Sequence, residues 1–597
     1  LFVRSVDVRR GPQGLRYGPD AAGGVIEVHT LRGSESGEGA TLELAGGEGG
    51  AFVGGLHARA RAGAQTFALT AQQDQIDGFD PPESGAVRAQ LGGRDSRRLS
   101  RDVFLALDGA ARDRVAWFGD VGYRREDEDF VPVGGGARTR RDRARWRATG
   151  GARIALPEDA ALEGALAFFT RDTDSNVGRA YEQTEREWQL DLGYLRELAS
   201  PFGEHALRLG VDARRASLDL AEGELPLELE GALEPGVAHE NVASAGFFAI
   251  DEVRVAEWLT LELGAREELS SDFDPAFAAQ AGVLVAPFAS RGPRTLESLR
   301  LRASVGRNHR APGLQELFQP ETPQLGGAYF LAGNPSLRPE TTLGVRAGLE
   351  WAPNEWAGAS VTWFRNRIEN GIRSVRARTL LVPTGEFQEV PDLDDERLIG
   401  LWRICRAIDF SLPDCAALIG VPVVPEPILR PADVFVKTNL DRVETRGVEL
   451  MLELRPLEHV ALDLGYTHLE SEVRDGESAQ LRVLPNQPRH QVDWRLRALV
   501  PRTRTSLALT GLWRGEAVTE TSGTGLVSFS NPDALSDPSL LLGSRVTQLI
   551  GERFELFIDV DNWLDERVQD SYAIRGRTVF GGVRVRFGAD QRGGEAW

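Results

Sequence analysis

The chain has 597 residues, a formal net charge of −20 and a pI of about 5.1. The acidic balance argues against a nucleic-acid partner, which needs a basic surface. Apolar residues make up 41% and charged residues 26%. No run of about 18 apolar residues occurs, which argues against membrane-spanning helices but not against spanning strands, whose alternation leaves average hydropathy unremarkable. A soluble chain of this length would divide into about four domains, yet no interdomain linker is visible. The 66 glycines suit turns and crowded barrel interiors.

The first legible element is Arg9 to Thr30, RRGPQGLRYGPDAAGGVIEVHT. Gly11-Pro12 and Gly23-Gly24 punctuate it, and Val25-Ile26-Glu27-Val28 closes it as an apolar, β-rich run. Gly supplies backbone angles that other residues avoid and Pro fixes φ, so the pattern predicts a tight turn, a compact loop and a short strand. The segment closely resembles the end of the plug domain of TonB-dependent outer-membrane receptors, of the form RGPxxxxYGxxAxGGVIxIxT. Gly11, Pro12, Tyr17, Gly18, Gly23 and Gly24 carry the match, with Val28 in place of the second Ile. The resemblance implies an all-β fold: a transmembrane antiparallel β-barrel of 22 strands holding the C-terminal remnant of a plug. On that reading residues 1–33 are the plug's end, 34–587 the barrel and 588–597 a short tail, and most of the plug, the signal peptide and the TonB box are not in the chain.

After a Gly/Ser/Glu-rich joint at Gly33 to Gly39, alternating stretches recur. Val103, Leu105 and Leu107 alternate with Phe104, Ala106 and Asp108; Trp188, Leu190, Leu192 and Tyr194 with Gln189, Asp191 and Gly193. Leu450, Leu452 and Leu454, then Val460, Leu462, Leu464 and Tyr466, then Phe554, Leu556, Ile558 and Val560 repeat the pattern. Period-two alternation puts one set on each strand face, here an apolar set toward lipid and a polar or small set toward a lumen. A soluble sandwich would pattern similarly. Strands of about ten residues are long enough to cross a bilayer, and Asp191, Glu453 and Asp463 stand at inside positions that a dry core would not tolerate unpaired. A hydrophobic-Gly-Tyr triplet recurs at Tyr123, Tyr194 and Tyr466, in keeping with an interfacial aromatic girdle. Connections are short at Arg455 to Glu458 and long around Ser374–Val436 and Glu222–Glu240. Cys405 and Cys415, the two cysteines, read as a local disulfide pinning one loop in an oxidising compartment, with two free thiols or a weak metal pair, no His being near, as the alternatives.

Further segments extend the resemblance over nearly the whole chain. Asn308 to Phe318 is similar to the family's FRAPxxxELF stretch, Gly333 to Glu340 to GNPxLxPE, Val443 to Glu449 to xxxxRGVE, and Asp561 to Asp565 to xNLFD. The last strand, Arg577 to Phe587, ends on an aromatic that resembles the signal read by the outer-membrane assembly machinery. His309 stands where the family often has Phe. No His lies between Pro312 and Asn334, which disfavours haem as ligand, and the single Met disfavours copper.

The resemblance implies a non-enzymatic, bacterial outer-membrane transporter importing a scarce nutrient chelate, most simply a ferric siderophore. Cobalamin is the alternative ligand, and an ungated porin-like channel the alternative class. Energy would come from a TonB–ExbB–ExbD complex engaging the plug by strand addition, in a membrane rich in lipopolysaccharide. No cofactor is required. Arg10, with Arg9 sharing, is expected to pair with Glu449 across the plug–barrel junction. Acidic clusters at Glu126 to Asp129, Asp172/Asp174 and Asp392/Asp394/Asp395 read as loops, and Asp172 and Asp174 are candidate calcium ligands in the manner of the family's cobalamin receptors. A solvated acidic loop is the competing reading. No GxSxG or HExxH pattern points to an enzyme.

Overall fold

The computed structural model describes the chain apart from residues 1–2, 12, 22, 31–37, 78–96, 112–113, 131–138, 176–180, 223–236, 290–291, 325–328, 392–422, 476–477, 485, 519–534, 567–575 and 589–597. The first elements form a small unit. Strand β1 (Val3–Arg10) pairs antiparallel with β2 (Gly24–Thr30), and the intervening loop carries a one-turn helix, α1 (Gly14–Tyr17), and a 3-10 turn at Pro19–Ala21.

From Gly39 to Gly588 the chain builds one closed antiparallel barrel of 22 strands. It begins at β3 (Gly39–Gly47) and closes when the final strand, Thr578–Gly588, pairs with β3 in the register Phe580↔Gly47 through Gly588↔Gly39. Closure removes every edge, as a lipid-embedded sheet requires, because unpaired backbone groups in hydrocarbon cost several kcal/mol each. No helix among the described residues is long and apolar enough to cross a membrane, which says nothing against crossing by strands.

Alternation decides what faces lipid. Val103 and Leu105 are exposed on the outer wall while Phe104 and Ala106 are buried within it. Phe554, Leu556 and Ile558 likewise point outward and Phe557 inward, at 3% exposure. Tyr123 packs on Trp146 and Phe168 on Trp188, each with ring centroids 4.5 Å apart, across neighbouring strands. Trp146 and Trp188 are exposed, which puts these aromatic pairs on the outward face of the barrel. Turns at one end are short: Gly63, at φ +63, links Phe52–Ala62 to Gln65–Asp77 in a conformation that L side chains rarely adopt.

Three loop expectations are corrected. Much of Ser374–Val436 is strand: Ala357–Pro391 and Val423–Leu457 are 35 residues each and stay paired out to Pro391↔Val423. A bilayer needs only about ten, so the pair projects well beyond the barrel. Tyr329–Ala332 adds to it in parallel, and Phe330, Ala432 and Val434 bury completely or nearly so between them. Glu126 to Asp129 lies in the strand Val115–Phe130, where Arg143 reaches Glu126 at 2.6 Å and Arg141 reaches Glu128 at 3.4 Å. Cross-strand arginines let an acidic run form a ladder, a pairing invisible in a one-dimensional reading. Asp172 and Asp174 lie in the strand Ala160–Ser175, not in a loop.

Candidate functional site

The segment singled out in sequence is a loop stitched to itself and seated on the barrel wall. Gly11 N donates to Gly23 O at 3.1 Å and Gln13 N to Ala21 O at 3.0 Å, so the loop closes directly above the β1–β2 pair. Gly11 (φ +90) and Gly18 (φ +87) take backbone angles that favour glycine. Leu15 is 3% exposed and anchors α1 on the wall: a Cβ on Gly264 would lie 2.5 Å from its Cδ1. Tyr17 donates to Glu27 at 3.4 Å, with the Arg9 and Arg16 guanidinium groups 5.7 and 5.3 Å from its ring centroid. Gly23 is exposed and Gly24 opens β2. Pro12 lies outside the described residues.

Where the N-terminal segment meets the barrel wall, Glu449 is bridged by Arg346 at 3.4 Å, both side chains under one-fifth exposed. Gly11 rests on that arginine: a Cβ there would come within 2.8 Å of Arg346 Cδ. Arg9 is engaged within the plug segment, 3.3 Å from Glu27. The side chain of Arg10 lies outside the described residues, so its expected pairing with Glu449 stands as a proposal, at a junction whose wall side is now located.

The two family-like barrel motifs meet in one clamp. Arg310 donates through Nε to Glu340 at 2.8 Å and through Nη1 to Glu316 at 3.0 Å. Glu316 sits in α2 (Leu314–Phe318) and also accepts from Gly313 N at 2.9 Å; Glu340 accepts from Ile372 N at 2.5 Å. Burial opposes ionisation of Glu316, but the Arg310 hydrogen bonds and the Gly313 N–H outweigh it and hold the carboxyl below its usual range. Asn334 donates to Lys437 O at 2.9 Å, and Asn439 accepts from Arg338 N at 2.8 Å, so the second motif is stitched to the base of the projecting strand pair. Leu317, Leu337 and Ile372 bury together beneath.

The lumen wall carries a feature that the motifs do not. Trp146 faces outward at 48% exposure, so Arg141, Arg143, Arg145 and Arg147 of the same strand face inward. In register, Arg124, Arg145 and Arg171 stand side by side on three neighbouring strands. Like charges directly opposite in a sheet destabilise it. Arg124 is offset by Glu126 at 3.3 Å and Asp102 at 3.7 Å, and Arg171 pairs with Glu185. Among the described residues no carboxylate lies within ion-pair distance of Arg145, and its Nε is buried without a hydrogen-bond partner. Arg171 and Glu185 also line a cavity of about 570 Å³ that runs between the plug's Tyr17–Pro19 and the Arg310 clamp. The alternate arginines of RRDRARWR were legible in sequence; their cross-strand partners were not. A second lumenal arginine, Arg266, is fully buried between Asp212 and Glu268, at 2.5 Å from each, with its charge matched.

Asp172 accepts a hydrogen bond from Thr184 Oγ1 at 2.8 Å on the outer wall, and neither it nor Asp174 joins a third ligand among the described residues. Cys405, Cys415 and the Asp392/Asp394/Asp395 cluster lie outside the described residues.

A closed 22-stranded barrel with an apolar outer band and a folded segment seated on its inner wall defines a bacterial outer-membrane receptor. Residues 50–547 match the family model for the TonB dependent receptor-like β-barrel. The chain belongs to the TonB-dependent receptor family, and its place is the bacterial outer membrane. It is 23% identical to an iron-regulated outer membrane virulence protein of Vibrio cholerae, over 98% of this chain and 80% of the relative. It is 24% identical to a ferric enterobactin receptor of Pseudomonas aeruginosa, over 62% of this chain and 56% of that protein. Its fold is similar to that of the siderophore receptor PirA from Acinetobacter baumannii, with a TM-score of 0.72 at 13% identity, covering 98% of this chain and 85% of the other.

Proposed function

We propose that this receptor imports an anionic iron(III) chelate, a ferric siderophore, across the outer membrane. The observation that carries the reading is the Arg124–Arg145–Arg171 row, with no carboxylate among the described residues within ion-pair distance of Arg145, beside a lumenal cavity that Tyr17–Pro19 also lines. A row of like charges costs stability that a bound anion offsets. Two of the proteins above are named as a ferric enterobactin receptor and a siderophore receptor, which supports the same class. Metal is cargo here and no covalent chemistry is needed. Release into the periplasm requires displacement of the plug segment, driven through TonB by the ExbB–ExbD complex, in a bilayer whose outer leaflet is lipopolysaccharide.

The test is uptake of radiolabelled iron by cells that depend on this receptor. A catecholate or other polyanionic ferric chelate should accumulate only when TonB is present, and should quench the intrinsic fluorescence of the purified receptor. Accumulation of cobalamin with no response to any ferric chelate would overturn the reading. TonB-independent passage of unrelated solutes would favour an open channel.

A further inference from the structure

We propose that the plug segment holds a divalent transition-metal site, built by Asp7, Glu27 and His29, separate from the ligand path. These three are the one group of three or more metal-capable side chains among the described residues whose ligand atoms all lie within 4.8 Å of one another. The β1–β2 register makes the group. Asp7 is directly opposite Glu27, and His29 lies two residues beyond Glu27 on the same face.

Ligand-atom spacing fits a metal of the zinc type. His29 Nε2 is 3.0 Å from Asp7 Oδ2 and 4.0 Å from Glu27 Oε1. Around a tetrahedral ion with bonds of about 2.1 Å, neighbouring ligand atoms are roughly 3.4 Å apart, so small side-chain rotations close the set. One imidazole and two carboxylates is a donor set for a borderline divalent ion rather than for calcium, which takes six to eight oxygens.

Two further observations point to a cation. Asp7 and Glu27 are like charges facing each other across a two-stranded pair; Arg9 offsets Glu27, while Asp7 meets only His29 among the described residues, so a metal ion would offset the second charge. Glu27 also has its two oxygens assigned differently. Oε2 is held by Arg9 at 3.3 Å and by the Tyr17 hydroxyl at 3.4 Å, while Oε1 is the atom turned to His29. Such outer partners orient a ligating carboxylate. Glu27 lines a cavity of about 920 Å³ that reaches wall residues beside the short turns, including Ala64 and Ala116, which provides an entry path. An ion there would cross-link β1 to β2 and stiffen the plug's base.

The experiment is a zinc titration of the purified full chain in detergent, by calorimetry and by competition with a chromogenic chelator, with anomalous scattering at the zinc edge to locate the ion. One equivalent should bind to the wild type and be lost in His29→Gln and in Asp7→Asn. It should persist in Asp174→Asn, and calcium should not compete. Tyr17→Phe, which removes only the outer partner, should weaken binding about 10–100-fold. Equal zinc stoichiometry in the wild type and both ligand variants, or an anomalous peak elsewhere, would overturn the site. No zinc binding by the wild type would reduce the cluster to a His29–Asp7 hydrogen bond beside an Arg9–Glu27 ion pair. Siderophore uptake is not a readout here, so the result stands apart from the transport reading.

Discussion

Gly11 of the plug segment lies directly on Arg346 of the barrel wall, so closely that a Cβ would come within 2.8 Å of its Cδ and 2.9 Å of its Nη1. Arg346 in turn holds Glu449. A glycine at φ +90 thus sits against a paired arginine of the wall. Gly11→Ala should strain the backbone by about 1–3 kcal/mol and push the arginine from its partner. The expected outcome is raised ion conductance in planar bilayers and sensitivity to large antibiotics. Gly63→Ala, in a turn with nothing within 4 Å, should leave conductance unchanged.

Arg10 directly precedes Gly11 in the sequence. We propose that it shares Glu449 with Arg346. Breaking a buried ion pair from one side costs about 3–5 kcal/mol, and either Arg10→Glu or Glu449→Arg alone should loosen the plug and leak. The double swap should leak less than either single. Equal leakage in all three would show that Glu449 answers to Arg346 alone.

Arg145 makes a two-signed prediction. Removing the middle member of the Arg124–Arg145–Arg171 row relieves cross-strand repulsion, so Arg145→Gln should melt no lower than the wild type, up to about 1 kcal/mol more stable. The same change should weaken binding of an anionic ferric chelate roughly tenfold to a hundredfold, the worth of a charge-assisted hydrogen bond of about 1.5–3 kcal/mol. Fluorescence titration and thermal melts on the one variant read both signs. Lowered stability with unchanged affinity would make Arg145 structural.

The Arg310 clamp should depend on pH through Glu316. Its carboxyl is held below the ordinary value of 4.5 in the folded protein. A depressed carboxylate contributes stability that is fully present above its unfolded pKa and is lost as pH falls through the folded one. Glu316→Gln should therefore be less stable than the wild type at neutral pH. The difference should shrink below 4.5 and vanish once the wild-type carboxyl is protonated. Limited proteolysis of the 311–339 segment across that range measures it. A constant difference down to strong acid would rule the linkage out.

The alternations at Val103 to Asp108 and Phe554 to Val560 were legible because a strand in a barrel has one neighbour on each side and two faces of different polarity. The plug loop was legible for the same local reason: Gly11, Gly18 and Gly24 are required by backbone angles that the residues themselves adopt. The acidic runs misled. Glu126 to Asp129 and Asp172/Asp174 read as loops because an isolated carboxylate run favours solvent, whereas in the barrel arginines one strand away offset the first run and a threonine hydroxyl meets Asp172. The projecting strands Ala357–Pro391 and Val423–Leu457 were hidden for a similar reason, since each is stabilised by the other across a long separation.

By itself, then, the sequence determined the class of this protein through short-range backbone demands at the Arg9–Thr30 loop and family-like motifs in order along the chain, with a period-two pattern that fits a closed sheet in lipid as it would a sandwich. Tertiary structure decided which charges meet. Arg346 with Glu449, Arg310 between Glu316 and Glu340, Arg145 between Arg124 and Arg171, and Asp7 with Glu27 and His29 are all set by strand register. Register is a property of neighbouring strands: a shift of one residue turns every side chain to the opposite face, so no reading of a single strand contains it.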